Sequence, residues 1–339
     1  MSIEGETCTE NNGSTAHCAC SATHGTELLS NFVLPPQMRP LTVRPIHIPL
    51  VDLALLENAD TRPQVLDQIH KACCEWGFFQ VVHHGVSLDV LSDLRTSLNE
   101  FFSLPLSAKS EKGLLIGDSG QGYGTGFVDP KSGATEWKDY LLFHTYPTSN
   151  RDYSKWPSTL RNDIELVSGE LLALSQKLLA IISESLGLPS SSIENAMGML
   201  HQKILAAHYP PCPQPEVAMG SCEHTDIGII TCVWQASEDV VSLQVLKDEQ
   251  WHSVEPNPSA IVVNIGDQIQ IFSNGKYRSG PHRVVLNASK PRLSVVAFHN
   301  PSASTLVSPS KSLVDEQHPP KYNPTLFKDY ANIHRISAV

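Results

Sequence analysis

The 339-residue chain is short of positive charge: 24 Lys and Arg stand against 35 Asp and Glu, a formal net charge of −11. Nucleic acid and anionic membranes both demand a basic face, so neither is expected as the main partner. Long hydrophobic runs are missing too. The apolar stretches are strand-sized pieces such as IGIITCVW (227–234), far below the roughly 20 residues of a membrane span. The opening MSIEGETCTENNGSTAHCAC has neither the basic nor the apolar region of a signal peptide, and is too acidic for a typical transit peptide. A cytoplasmic protein is the expectation, and nothing suggests an oligomer over a monomer. A disulfide framework is also absent. Cys73, Cys74, Cys212, Cys222 and Cys232 sit in apolar or strand-like contexts and read as reduced structural thiols. Cys8, His17, Cys18, Cys20 and His24 form the one other cluster, but its spacing is irregular and no apolar pattern surrounds it. It reads as part of a disordered tail, with a zinc knot as the alternative.

What is present is enough apolar residue, 41%, to bury an ample core in one large domain or two modest ones. After a polar stretch to about residue 30, an extended Pro-rich segment leads into a first strand, His47 to Leu53. Thr61 with Gln64 forms a capping-box pairing for a helix running to Gly77, followed by a strand in FFQVVHHGV. Apolar spacing predicts further helices over about Asp89–Phe102 and Leu160–Leu186. The Gly-rich GQGYGTGF (120–127) lacks the strand, helix and Gly-Lys-Ser/Thr of a nucleotide loop and reads as a mobile loop near a cleft. After Leu200, strand-like runs crowd together: KILAAHY, IGIITCVWQ, VSLQVLK, QWHSVEP, AIVVNIG, QIQIFS, RVVLN and RLSVVAFH. Asn274-Gly275 carries the signal of a type I′ hairpin. The expected fold is α+β, a double-stranded β-helix (jelly-roll) core with a helical N-terminal half. The expected division is a tail (1–30), an N-terminal region (31–150), a long supporting helix (151–200), the β-helix domain (201–305) and a C-terminal helical segment (306–339).

Chemistry gathers in CEHTDIGII (222–230). Residues two apart on a strand share a face, so His224 and Asp226 can present an imidazole and a carboxylate together. His282, at the mouth of a later strand, offers a third ligand. Two histidines and a carboxylate on one face of an octahedral ion suit a non-haem Fe(II) oxygenase. Arg292 and Ser294 again share a strand face, and a guanidinium fork beside a hydroxyl suits an incoming carboxylate.

HYPPCPQPE (208–216), EHTDIG (223–228), VVNIGDQIQIFSNGKYRSGPHRVVLN (262–287) and PRLSVVAFHNP (291–301) resemble the plant-type Fe(II)/2-oxoglutarate-dependent dioxygenases. IPLVDL (48–53) and CCEWGFFQVVHHGV (73–86) resemble that family's N-terminal half, so the likeness runs over roughly residues 30–335. It implies His224, Asp226 and His282 as iron ligands, and Arg292, Ser294 and Tyr209 as contacts to 2-oxoglutarate. O2 would be the second co-substrate and ascorbate an activator. Ala207 departs from the family's usual Asn two residues before the Tyr, which removes one co-substrate contact. His83 likewise stands for the commoner Asn of Asn-His-Gly-Val.

EWKDYLLFHTYP (136–147) resembles the same stretch of flavonoid-modifying members, which implies Tyr140, Leu142, Phe298 and Asn300 as pocket residues. An apolar pocket with a few polar handles suits a flat phenolic. The expected activity is hydroxylation or desaturation of a flavanone with release of succinate and CO2. A coumarin or phenylpropanoid hydroxylase, or a same-fold oxidase that uses no 2-oxoglutarate, is the alternative. A zinc hydrolase on the same ligands leaves Arg292 and Ser294 without a task, and a non-catalytic receptor leaves an intact ligand set unexplained.

Overall fold

The computed structural model describes residues 27–41, 43, 45–110 and 120–334, with the backbone of three short strands at 8–9, 15–16 and 23–24. The side chains of residues 1–26 of the expected tail, with its Cys8, His17, Cys18, Cys20 and His24 cluster, lie outside the described residues; the tail's end is not free, since Leu28 is buried in a cluster with Phe32 and Trp137. Thirteen strands build the two principal sheets. In chain order they are β1 (Pro45–Ile46), β2 (Leu50–Asp52), β3 (Phe78–Val82), β4 (Gly122–Thr125), β5 (Asp139–Tyr146), β6 (His201–Tyr209) and β7 (Ser221–His224), then β8 (Ile230–Gln235), β9 (Leu243–Lys247), β10 (Gln250–Val254), β11 (Ile261–Ile265), β12 (His282–Val284) and β13 (Arg292–Asn300). The larger sheet runs β2-β3-β11-β8-β13-β6-β5-β4 and the smaller β7-β12-β9-β10-β1. The helices are α1 (Arg62–Glu75), α2 (Leu88–Phe102), α3 (Leu106–Ser110), α4 (Arg161–Ser185), α5 (Ser192–Met197), α6 (Asp267–Phe272) and α7 (Phe327–Ile333). This is an α+β jelly roll, and its N-terminal half is more than helical: β2, β3, β4 and β5 extend the larger sheet at both edges.

The pleat of β13 shows how the sheet divides its two faces. Leu293, Val295 and Ala297 are buried in the main core, while Arg292, Ser294, Val296 and Phe298 point into a cavity facing the smaller sheet. On the core side lies α4, with Val167, Leu171, Leu174, Leu178 and Ile182 buried at helical spacing. Gln202 on β6 ties helix to sheet by donating from Nε2 to the carbonyl of Ser168 at 3.1 Å. At 25 residues α4 is long and apolar enough to cross a membrane, but 56% of its apolar window is buried inside the fold, as befits a core helix.

Several local expectations need correction. Thr61 makes no capping contact; its hydroxyl donates to the carbonyl of Leu55 at 2.6 Å. GQGYGTGF is no free loop, because Gly122–Thr125 forms edge strand β4 against β5, where Gly124 leaves the space that the Tyr140 ring fills. QIQIFS is not a strand but the helix α6. A six-residue run that opens with four alternating Gln and Ile fits either period, and tertiary contacts decide it. Its first two amides, on Asp267 and Gln268, donate to the carbonyls of Asp226 and Gly228 at 2.8 and 2.9 Å, which satisfies a helix start and pins the loop after His224. Asn274 and Gly275 do adopt positive φ (54° and 77°), but they end α6 rather than join two strands. Two strands are absent from the expectations: β5, which carries Tyr140 and Leu142, and β7, SCEH, which carries His224.

The contact between α6 and that loop leaves no room at Gly266. A Cβ there would lie 2.7 Å from the Gly228 carbonyl carbon and 3.1 Å from that of Ile229, backbone that cannot move aside. Gly266→Ala is expected to lower stability by about 1–3 kcal/mol, seen as an earlier urea midpoint with an unchanged slope.

Candidate active site

Strands β7 and β12 pair antiparallel with His224 directly opposite His282, so the two imidazoles meet with ring centroids 4.2 Å apart. Each ring is oriented from behind. His224 Nδ1 lies 2.7 Å from the carbonyl of Cys222, and His282 Nδ1 lies 3.2 Å from that of Gly280. A carbonyl can only accept, so both Nδ1 atoms carry a proton and both rings turn Nε2 inward. Burial, and the His224 ring beside it, push the His282 pKa down to about 4, so the ring is neutral.

Asp226 reaches the pair differently from the expectation of a shared strand face, because β7 ends at His224 and Asp226 stands on the loop beyond. Its side chain is held by two residues facing one another across β8 and β11. Thr231 Oγ1 and Asn264 Nδ2 each donate to Oδ2 at 2.6 Å. That leaves Oδ1 free, 3.8 Å from Nε2 of both histidines. Burial acts to raise this carboxyl, but His282, His224 and the two donors outweigh it and hold the pKa below the ordinary value. An ionised oxygen and two imidazole Nε2 atoms within 4.8 Å of one another form a donor set that one divalent ion can bridge.

Arg292 and Ser294 follow on β13. Arg292 Nη1 donates to Ser294 Oγ at 3.1 Å, and the guanidinium lies 5.0 Å from the ring centroid of Tyr209, its cross-strand partner on β6. Arg292 is 4% exposed, and no carboxylate pairs with it among the described residues. Its Nε has no hydrogen-bond partner there either. A buried cation with an idle donor is costly unless something anionic arrives, and the cavity it faces is where an anion can enter. Ala207, opposite both Ser294 and Tyr140, is fully buried and offers no polar atom at the position of the departed Asn.

The cavity lies between the sheets. It offers about 190 Å³ to the centres of water molecules, against the 10–15 Å³ that holds one buried water, so it has room for an organic ligand. Leu205, Val233, Leu243, Val284, Val296 and Phe298 give it apolar walls. At one side stands the Glu136–Lys138 segment. Glu136 Oε1 accepts from the Ser221 hydroxyl at 3.0 Å and the Cys222 amide at 2.7 Å, while Oε2 takes the Lys138 ammonium at 2.6 Å. Burial acts to lower the Lys138 pKa, but Glu136 more than offsets it, so the lysine stays charged.

Of the ten residues singled out from the sequence, His224, Asp226, His282, Arg292, Ser294, Tyr209 and Phe298 meet at this cavity. Tyr140, Leu142 and Asn300 do not reach its wall. Tyr140 stacks under Phe127 at 4.5 Å and Leu142 packs with it in the layer behind, because Phe127 covers that part of β5. Asn300 packs against Gly228 at the end of β13. Glu136, Lys138, Thr231, Asn264 and Val296 were not singled out. Val296 was within reach of strand parity, two residues from Ser294 on the expected strand RLSVVAFH. The partnership of Thr231 with Asn264 needs the β8–β11 register, which no local pattern carries.

Comparison with known proteins agrees with this geometry. Residues 200–301 match the 2OG-Fe(II) oxygenase superfamily, and residues 48–159 match the N-terminal model of non-haem dioxygenases in morphine synthesis. The chain is 36% identical to Jasmonate-induced oxygenase 2 of Arabidopsis thaliana, over 89% of this chain and 84% of that protein. It is 37% identical to a flavone synthase of Petroselinum crispum, over 78% and 74% respectively. The crystal structure of JOX2 in complex with 2OG, Fe and JA superposes with a TM-score of 0.83 at 36% identity, covering 91% of this chain and 90% of that one. The chain therefore belongs to the plant 2-oxoglutarate/Fe(II)-dependent oxygenases, enzymes with Fe(II) as cofactor and 2-oxoglutarate as co-substrate.

Proposed function

We propose that this oxygenase hydroxylates or desaturates a flat plant phenolic, in first place a flavanone, with release of succinate and CO2. In this reading His224 and His282 bind the metal through Nε2 and Asp226 through Oδ1. Arg292, Ser294 and Tyr209 receive the distal carboxylate of 2-oxoglutarate. The observation that carries the co-substrate assignment is the buried Arg292 guanidinium, which among the described residues has an idle Nε and no carboxylate partner and faces the same cavity as the metal-ligand set. Fe(II) with 2-oxoglutarate and O2 supplies the oxidising power for a C–H bond. The protein's own part is to orient and to keep dry. Carbonyls behind each histidine fix the tautomer, Thr231 and Asn264 aim one carboxylate oxygen, and the apolar walls exclude water around the reacting carbon.

The apolar walls and the likeness to a flavone synthase support the phenolic substrate. The likeness to Jasmonate-induced oxygenase 2, and to a structure holding JA, favours a second reading in which a smaller alicyclic acid is oxidised. Incubation with Fe(II), ascorbate, 2-oxoglutarate and a panel of flavanones, coumarin precursors and jasmonic acid separates them. Succinate formed in step with a flavanone that loses two hydrogens or gains one oxygen is the expected result. Succinate coupled to jasmonic acid alone would discard the flavonoid substrate and keep the oxygenase chemistry.

Removing the guanidinium in Arg292→Ala is expected to weaken 2-oxoglutarate binding by about 2–5 kcal/mol while metal binding persists. Calorimetric titration of both ligands checks this, and an unchanged 2-oxoglutarate affinity would remove Arg292 from the co-substrate site.

A further inference from the structure

Apart from the metal ligands, the charged side chains lining the cavity among the described residues are Arg292, Lys138, Glu136 and Asp129. With Arg292 given to 2-oxoglutarate, Lys138 is the cation left facing the remaining space. It is 4% exposed. Its ammonium has Glu136 Oε2 as hydrogen-bond partner, and the Phe127 ring covers it at 4.6 Å. An ammonium has three N–H donors, so two are left for whatever enters. Glu136 cannot swing away to release the lysine, because its other oxygen is tied to Ser221 and Cys222.

The charge balance then says what kind of group these donors suit. Glu136 already cancels Lys138, and Asp129, fixed through Oδ2 to the Ser132 amide and hydroxyl at 2.9 and 2.6 Å, adds a second negative charge to the same wall. A carboxylate placed here would face two carboxylates against one ammonium in an apolar enclosure, where repulsion is poorly screened. A neutral oxygen acceptor has no such cost, and a hydrogen bond from a charged donor in a dry site is a strong one.

We propose that Lys138, held charged and in place by Glu136, is a specificity-determining residue that donates to a neutral carbonyl or hydroxyl oxygen of the substrate, and that this wall selects against free acids. The proposal rests on the oxygenase reading above and narrows its substrate to neutral oxygenated molecules.

The test uses the full chain loaded with Mn(II) and 2-oxoglutarate and reads ligand binding by quenching of tryptophan fluorescence. Four probes form two pairs: flavanone with flavan, which lacks only the ring carbonyl, and methyl jasmonate with jasmonic acid. Lys138→Met removes the donor. Because that change alone strands a buried carboxylate, the double variant Glu136→Gln/Lys138→Met removes the charge pair together and guards against misfolding. The wild type is expected to prefer flavanone over flavan, and the ester over the acid. Both variants should lose about 10- to 100-fold in flavanone affinity and bind flavanone and flavan alike, with 2-oxoglutarate affinity unchanged. A carbonyl preference that survives in both variants would overturn the role of Lys138 and leave the flavonoid reading standing. Preference for jasmonic acid over its ester would overturn the selection against acids, and with no binding of flavanone it would overturn the flavonoid reading too. Binding of none of the four, with 2-oxoglutarate still bound, would overturn both.

Discussion

Everything at the centre of this protein depends on keeping one carboxylate ionised inside a β-sandwich. Asp226 is buried, and a buried carboxylate without partners would take up a proton and cease to be a strong metal ligand. Thr231 and Asn264 prevent that by donating to one oxygen, and the two histidines face the other. Each supporting contact comes from a different element, so the site exists only when β7, β8, β11 and β12 are in register. α6 completes the arrangement by capping the carbonyls of the loop that carries Asp226. Fold and site are in that sense the same problem.

The same logic of paired and unpaired buried charge divides the cavity into functional regions. Asp226 with His224 and His282 makes a corner of fixed ligand atoms. Arg292 makes a positive corner with no carboxylate paired to it among the described residues. Glu136 with Lys138 makes a corner that is neutral overall yet rich in donors. Between them the walls are aliphatic or aromatic, which raises the strength of every polar contact made inside. The cavity thus presents three kinds of electrostatic partner, each with a different preference for charge.

Much of this was legible in the sequence. The His224, Asp226 and His282 set and the Arg292–Ser294 pair lie in short motifs whose spacing carries the chemistry, Tyr209 came only with the family resemblance, and strand parity puts Arg292, Ser294 and Phe298 on one face. Local chemistry also explains His83: it sits at a positive φ of 49°, a conformation that Asn tolerates well, and its ring bonds Asp52 at 2.8 Å. What local pattern could not carry was decided at long range. QIQIFS alternates like a strand but folds as a helix because its amides meet the carbonyls of residues 226 and 228. SCEH is too short and polar to read as a strand, yet pairing with β12 makes it one. Tyr140 and Leu142 sit on β5, a strand not expected from the sequence, and Tyr140 lies behind Phe127, a residue contributed by a segment whose path the sequence does not reveal.

In the proposed reading the co-substrate site is completed by metal held at Asp226, with Arg292 receiving the far carboxylate. The most direct test is calorimetric titration of the metal-free chain with Mn(II), followed by 2-oxoglutarate titrations with and without the metal. One Mn(II) per chain, and 2-oxoglutarate binding that is strong with the metal and weak without it, is the predicted result. Equal 2-oxoglutarate affinity in the two states, or no stoichiometric uptake of Mn(II), would contradict it.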